Sequence, residues 1–213
     1  MVKFAFSLAH YFSAMAYVRE LKKLPLPAGY ARVPGVYWTP NAAFVAELVR
    51  FLGARPVLEV FAGNGYLAAL LADCGVRITA TSLFAGHDSH ERGVYYDVKE
   101  LAAVDAVRLE GARHEVLLLS WPTVTPAALA AVEAWGPGRD VVFIGEVTDY
   151  AKGHLGGCAT DEFFERMDFH TQFKSYKGNM LEAAQVGRAR AKKTPQVAGL
   201  EFSVMPFDGT DTR

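Results

Sequence analysis

The stretch Val57-Leu58-Glu59-Val60-Phe61-Ala62-Gly63-Asn64-Gly65-Tyr66-Leu67 limits most severely what this chain can fold into. Val57 to Phe61 is a short apolar run with β-branched residues, the pattern of a strand buried on both faces in a parallel sheet. Gly63 and Gly65 turn the backbone, and Tyr66 to Ala72 continues with helical character. Strand, glycine turn and helix together aim free backbone N–H groups and a helix N-terminus at one point in space. The glycines let a ligand approach where a Cβ would stand in the way. Glu59, just ahead of the turn, repels phosphate but suits a cationic amine or ribose hydroxyls.

The rest of the chain follows this unit in alternation. Arg77 to Ser82 reads as the second strand, Val94 to Asp97 as a short third and Glu115 to Ser120 as a buried fourth. Asp140 to Gly145 reads as the fifth, and Phe169 to Tyr176 and Leu200 to Phe207 as a late pair. Helices are expected after the first and third strands, from Thr125-Pro126 to Gly136, and from Asp161 to Met167. Two more precede the sheet. Phe4 to Lys22 carries an aromatic stripe, and Asn41 to Leu52 is expected to have Thr39 as its cap and Pro40 as its first residue. Alternating strands and helices require a doubly wound, mostly parallel sheet with helices on both faces. Ligands of such sheets sit at the carboxyl ends of the strands, beside the first. Residues 1–53 form an expected N-terminal helical cap, and 54–213 a Rossmann-like core.

Acid-x-x-x-Gly-x-Gly, here Glu59 to Gly65, resembles motif I of class I S-adenosylmethionine-dependent methyltransferases. The resemblance runs from about Gly35 onward and implies a seven-stranded sheet with an antiparallel C-terminal strand. Gly35-Val36-Tyr37-Trp38-Thr39-Pro40 is similar to the Tyr/Phe-x-Thr-Pro element preceding motif I in amino-methylating members. It implies that Tyr37 and Thr39 contact the methionine end of the cofactor. Glu59, Ala62, Gly63, Asn64 and Gly65 are the motif I contacts. Asp97, read as the end of the third strand, is the implied partner of the adenine amine. Ser120-Trp121-Pro122-Thr123 stands in place of motif IV, with the aromatic ahead of a single proline. Ser120 is implied to accept a hydrogen bond from the target amine and to touch the cofactor, with Trp121 stacking on a planar substrate.

The chain departs from the pattern at the second strand. A ribose-binding acid is expected about 20 residues past the glycines, and the sequence has Thr81-Ser82-Leu83-Phe84. Ser82 and Asp88 are the substitutes on offer. The same gap, and the lack of a Tyr-x-x-x-Lys pair, weigh against the rival reading of Gly63 to Ala68 as a nicotinamide-dinucleotide fingerprint. A non-catalytic binder on the same fold is the third reading. Glu146, after the fifth strand, is a candidate to orient or deprotonate the acceptor. Gly153 to Gly157, with His154, is a candidate lid or acceptor-site wall.

Composition narrows the partners. Of 213 residues, 51% are hydrophobic and 21% charged, with a net charge of −1, so no global attraction to nucleic acid or anionic membrane exists. Arg188, Arg190, Lys192 and Lys193 are the local basic cluster, read as a solvated helix end. Cys74 and Cys158 build neither a disulfide framework nor a metal pattern, and His87-Asp88-Ser89-His90 has no second ligand cluster beside it. No metal is expected. The N-terminus imitates a signal peptide, but Ser7, His10, Tyr11 and Ser13 interrupt its apolar run. A cytoplasmic protein acting on a small-molecule or protein acceptor, with no membrane partner and nucleic acid not favoured, is the expectation.

Overall fold

A computed structural model describes residues 21–29, 36–84 and 90–191. Most of the expected first helix, Asp88, Lys192, Lys193 and the strand Leu200 to Phe207 lie outside these residues. Leu21 and Lys22, the end of that expected helix, are not helical, and Lys23 bridges to Val94.

The elements are α1 (Ala42–Leu52), β1 (Val57–Val60), α2 (Tyr66–Asp73), β2 (Ile78–Ser82), β3 (Val98–Glu100) and α3 (Ala103–Glu110). They continue with β4 (Val116–Ser120), α4 (Ala127–Trp135), β5 (Asp140–Glu146), α5 (Asp161–Arg166), β6 (Met167–Gln172) and β7 (Glu182–Ala189). One seven-stranded sheet runs β3-β2-β1-β4-β5-β7-β6. β1 to β5 pair in parallel, and β7 lies antiparallel to both β5 and β6. The doubly wound, mostly parallel sheet is therefore present, with a late antiparallel strand.

The unbroken apolar run of β4 follows from burial on both faces. Val116 and Leu118 belong to the cluster that includes Phe44 and Leu48 of α1 and Leu67 and Leu71 of α2. Leu117 and Leu119 belong to the opposite cluster, with Val107 of α3 and Val132 and Trp135 of α4. All three leucines are fully buried, and each such side chain stabilises by about 1.5–3 kcal/mol relative to exposure. α1 seals one side with aromatic contacts: the Phe44 ring lies 5.8 Å from Trp38, 5.6 Å from Phe173 and 5.2 Å from Tyr176.

Several expectations are corrected. The cap of α1 is Asn41, whose side chain accepts from Phe44 N–H at 3.0 Å, not Thr39. β3 begins at Val98, after the Val94 to Asp97 run expected to form it. That run packs on the glycine turn instead: Tyr95 N–H donates to the Asn64 carbonyl at 2.8 Å, and Tyr96 Oη to the Ile78 carbonyl at 3.1 Å. The basic cluster is not a helix end. Arg188 lies in β7 and pairs with Asp140 at 2.9 Å, and Arg190 donates to the Glu165 carbonyl at 3.1 Å. Among the described residues, no helix is long and apolar enough to cross a membrane.

Candidate active site

β1 delivers Glu59 to the carboxyl end of the sheet and stops at Val60, because Phe61 turns into the left-handed region at φ 61°. The Ala62 N–H still reaches the Thr81 carbonyl at 3.0 Å, and Gly65 N–H closes the turn onto Ala62 O at 2.8 Å. Gly63 and Gly65 have φ of 52° and 77°, which suit glycine. Gly65 has a second constraint. A Cβ there would meet Val98 Cγ2 at 2.7 Å and Tyr96 Cβ at 2.9 Å, so its smallness serves the packing of the turn against the β3 approach. That protein contact by itself calls for glycine at this position. α2 starts from Gly65 without a side-chain cap.

Glu59 is 1% exposed, and among the described residues neither of its carboxylate oxygens has a hydrogen-bond partner. Burial without a partner pushes its carboxyl up to about 8 from the usual 4.5. It lines a small cavity of about 80 Å³ with Tyr37, Trp38, Asn64 and Ser120. A buried carboxylate facing a cavity is unfinished chemistry: a cationic ligand group would supply the missing partner. Thr39 follows Tyr37 and Trp38 toward α1.

A second cavity, of about 260 Å³, opens at the ends of β2 and β3. Ser82 stands in its wall, 6% exposed, its Oγ donating to the Leu83 carbonyl at 3.3 Å. Leu101, Ala102 and Val104 give it an apolar side. Asp97 does not belong to this end of the sheet. It precedes β3 and is exposed, whereas Glu100 closes β3 opposite Ser82. Glu100 is not legible in the sequence as the closing acid, because the Val94 to Asp97 run has a strand's composition while β3 begins only at Val98. Phe61 and Trp121 line both cavities.

Trp121 follows β4 at φ 53°, its N–H donating to the Ile144 carbonyl at 2.7 Å and its ring 5.0 Å from that of Tyr37. Glu146 ends β5, but one of its oxygens is taken: Oε2 accepts from Gly157 N–H at 2.6 Å. The glycine-rich segment is pinned. Gly156 N–H donates to Thr148 Oγ1 at 3.3 Å, and Asp149 and His154 exchange two backbone hydrogen bonds of 2.9 Å. A Cβ on Gly156 would lie 2.6 Å from the Val147 carbonyl carbon, so close approach to the exit of β5 demands glycine there. His154 lines a different cavity from Glu59, of about 640 Å³, together with Thr148, Lys152, Gln172 and Gln185.

His90 is a positioning residue that the sequence did not single out for that task. It is 3% exposed, donates through Nε2 to the Gly63 carbonyl at 2.9 Å, and rests against the Phe84 ring at 4.4 Å. Among the described residues, no group of three His, Cys, Asp or Glu side chains is placed to hold a metal ion.

No protein-family model matches the chain. Among curated proteins, it is similar to the protein-L-isoaspartate O-methyltransferase of Anaeromyxobacter dehalogenans, with 29% identity over 113 residues. That match takes in 53% of this chain and 50% of the relative, so the chain spans about half the length of the curated protein it resembles. Similar solved structures include human N-acetylserotonin methyltransferase in complex with SAM, at TM-score 0.46 and 13% identity, covering 70% of this chain and 52% of that one. The glycopeptide N-methyltransferase MtfA complexed with sinefungin matches at TM-score 0.44 and 14% identity, covering 76% of this chain and all of that one (100%).

Proposed function

We propose that the chain binds S-adenosylmethionine across the two cavities and transfers its methyl group to an amine-bearing acceptor. The orphaned, buried carboxylate of Glu59 behind the glycine turn carries this reading, because the amino group of the cofactor's methionine would complete it. Tyr37 and the turn Ala62 to Asn64, which line the same cavity, would surround the same end. Ser82 would meet the ribose in place of a carboxylate, with the adenine against Leu101 and Ala102. Glu100, rather than Asp97, is the acid within reach of that end of the sheet.

The cofactor supplies an electrophilic methyl on a sulfonium, so the protein's task is alignment of the acceptor more than bond-making chemistry. Ser120, at the end of β4, would accept a hydrogen bond from the acceptor amine, and the Trp121 indole would give it a flat surface. Glu146 would hold the Gly157 wall with one oxygen and face the acceptor with the other. The curated relative, named as an O-methyltransferase, supports the reaction class.

Thermal-shift titration with S-adenosylmethionine, S-adenosylhomocysteine and NADPH tests the proposal. A ligand at 100 times its dissociation constant stabilises by about 2.7 kcal/mol. Stabilisation by the first two and not by NADPH is expected; the reverse would overturn the reading.

A further inference from the structure

We infer that Phe61 and Trp121 form an aromatic collar around the cofactor's sulfonium and select the charged methyl donor over its neutral thioether product. The inference rests on the cofactor reading above and assigns a task to two side chains of this chain.

Three observations carry it. Phe61 and Trp121 are the described residues common to both cavities: the one beside Ser82 and Leu101, and the one beside Glu59 and Tyr37. S-adenosylmethionine has a single atom joining its adenosyl and amino-acid parts, the sulfur. A molecule with one part in each cavity must therefore pass that atom between the residues the cavities share. Second, both are bulky side chains at positive φ, 61° and 53°, at the ends of the adjacent strands β1 and β4. Bulky residues avoid this conformation, and such strain persists where surrounding structure over-determines it, typically at ligand clamps. Here the sheet enforces it. The Ala62 and Trp121 amides donate to Thr81 and Ile144 on the strands to either side, at 3.0 and 2.7 Å. Third, the shared wall is aromatic and carries no formal charge.

An aromatic face attracts a cation through its quadrupole and holds a neutral thioether sulfur less strongly. The sulfonium is such a cation. When the methyl leaves, the carbon–sulfur bond breaks, its electron pair stays on sulfur, and the acceptor's lone pair forms the new bond. The acceptor then sheds its proton to water, and the thioether left behind is neutral. The collar thus holds the donor and loosens its grip on the product. Glu59 cannot make this distinction, since the amino group is the same in both.

The test is calorimetric affinity for S-adenosylmethionine and S-adenosylhomocysteine in wild type, Phe61→Leu, Trp121→Leu and Trp121→Phe. Wild type should favour the sulfonium ligand. Each leucine variant should lose about fivefold or more of that ratio, while Trp121→Phe retains most of it. Incorporation of fluorinated tryptophans, which weakens the ring's quadrupole without changing its shape, should lower the ratio stepwise even if a leucine variant fails to fold. A general packing defect would weaken both ligands equally, so an unchanged ratio across the series overturns the collar alone. Failure of wild type to bind either ligand overturns the cofactor reading and the collar with it.

Discussion

Replacing Glu59 with glutamine should change how stability depends on pH. The wild-type carboxyl titrates at about 8 in the folded chain, against an ordinary value of 4.5. The folded state therefore keeps its proton over a window in which the unfolded state has lost it. The sign follows: this group costs nothing below about 4.5, and stability falls as pH rises from there to about 8. Each pH unit inside the window removes about 1.4 kcal/mol, so a rise from pH 5 to 7.5 removes about 3 kcal/mol, less whatever local relaxation recovers. Glutamine keeps the shape and has no proton to lose. Urea unfolding from pH 5 to 8 should show wild type and Glu59→Gln diverging steadily, the variant being the more stable at the alkaline end. Other groups cancel in that difference: the lowered carboxylates Glu47, Glu110 and Asp140 act at lower pH, and the raised Cys158 thiol acts above the window. S-adenosylmethionine should reverse the wild-type penalty, because its ammonium favours the ionised carboxylate. Calorimetry in buffers of differing ionisation enthalpy should then register release of about one proton below pH 7. Parallel pH profiles for the two proteins would refute the account of Glu59 as a buried, unpartnered acid.

Gly65→Ala should destabilise the ligand-free protein by about 2–4 kcal/mol, combining positive φ with overpacking; an unchanged urea midpoint would count against the Tyr96 and Val98 contacts. Glu100→Gln should weaken calorimetric affinity for S-adenosylmethionine several-fold, about the loss of one hydrogen bond to a charged group. Asp97→Ala should leave that affinity unchanged, and the opposite order would restore Asp97 as the adenine partner. Glu146→Gln should preserve cofactor affinity and lower turnover once an acceptor is known; normal turnover would reduce Glu146 to its contact with Gly157.

Much of this fold was legible along the chain because its signals are local. The Val57 to Val60 and Val116 to Ser120 runs are apolar enough to be strands buried on both faces, and Gly63 and Gly65 mark a turn whose φ values other residues resist. Alternation of such units dictates a parallel sheet, and that sheet dictates where a ligand sits. Tertiary structure decided what local pattern underdetermines. Val94-Tyr95-Tyr96 has the composition of a strand, yet its polar groups are satisfied by Asn64 and Ile78, so pairing begins at Val98 and the acid at the sheet's edge becomes Glu100. Glu182 to Ala189, rich in alanine, has weak strand propensity of its own and becomes β7 because β5 and β6 bond it from both sides. Arg188 belongs to it for the same reason, drawn to Asp140 rather than to solvent. Gly156 announces freedom in the sequence, whereas in the fold it is small because the backbone of Glu146 and Val147 leaves no room for a side chain. Phe61 and Trp121 lie 60 positions apart, and although Trp121 stands out in the Ser120 to Thr123 stretch, nothing in the sequence links it to Phe61. Only the pairing of β1 with β4 brings them to one wall, and only the hydrogen bonds of the flanking strands hold both in a conformation their own side chains disfavour.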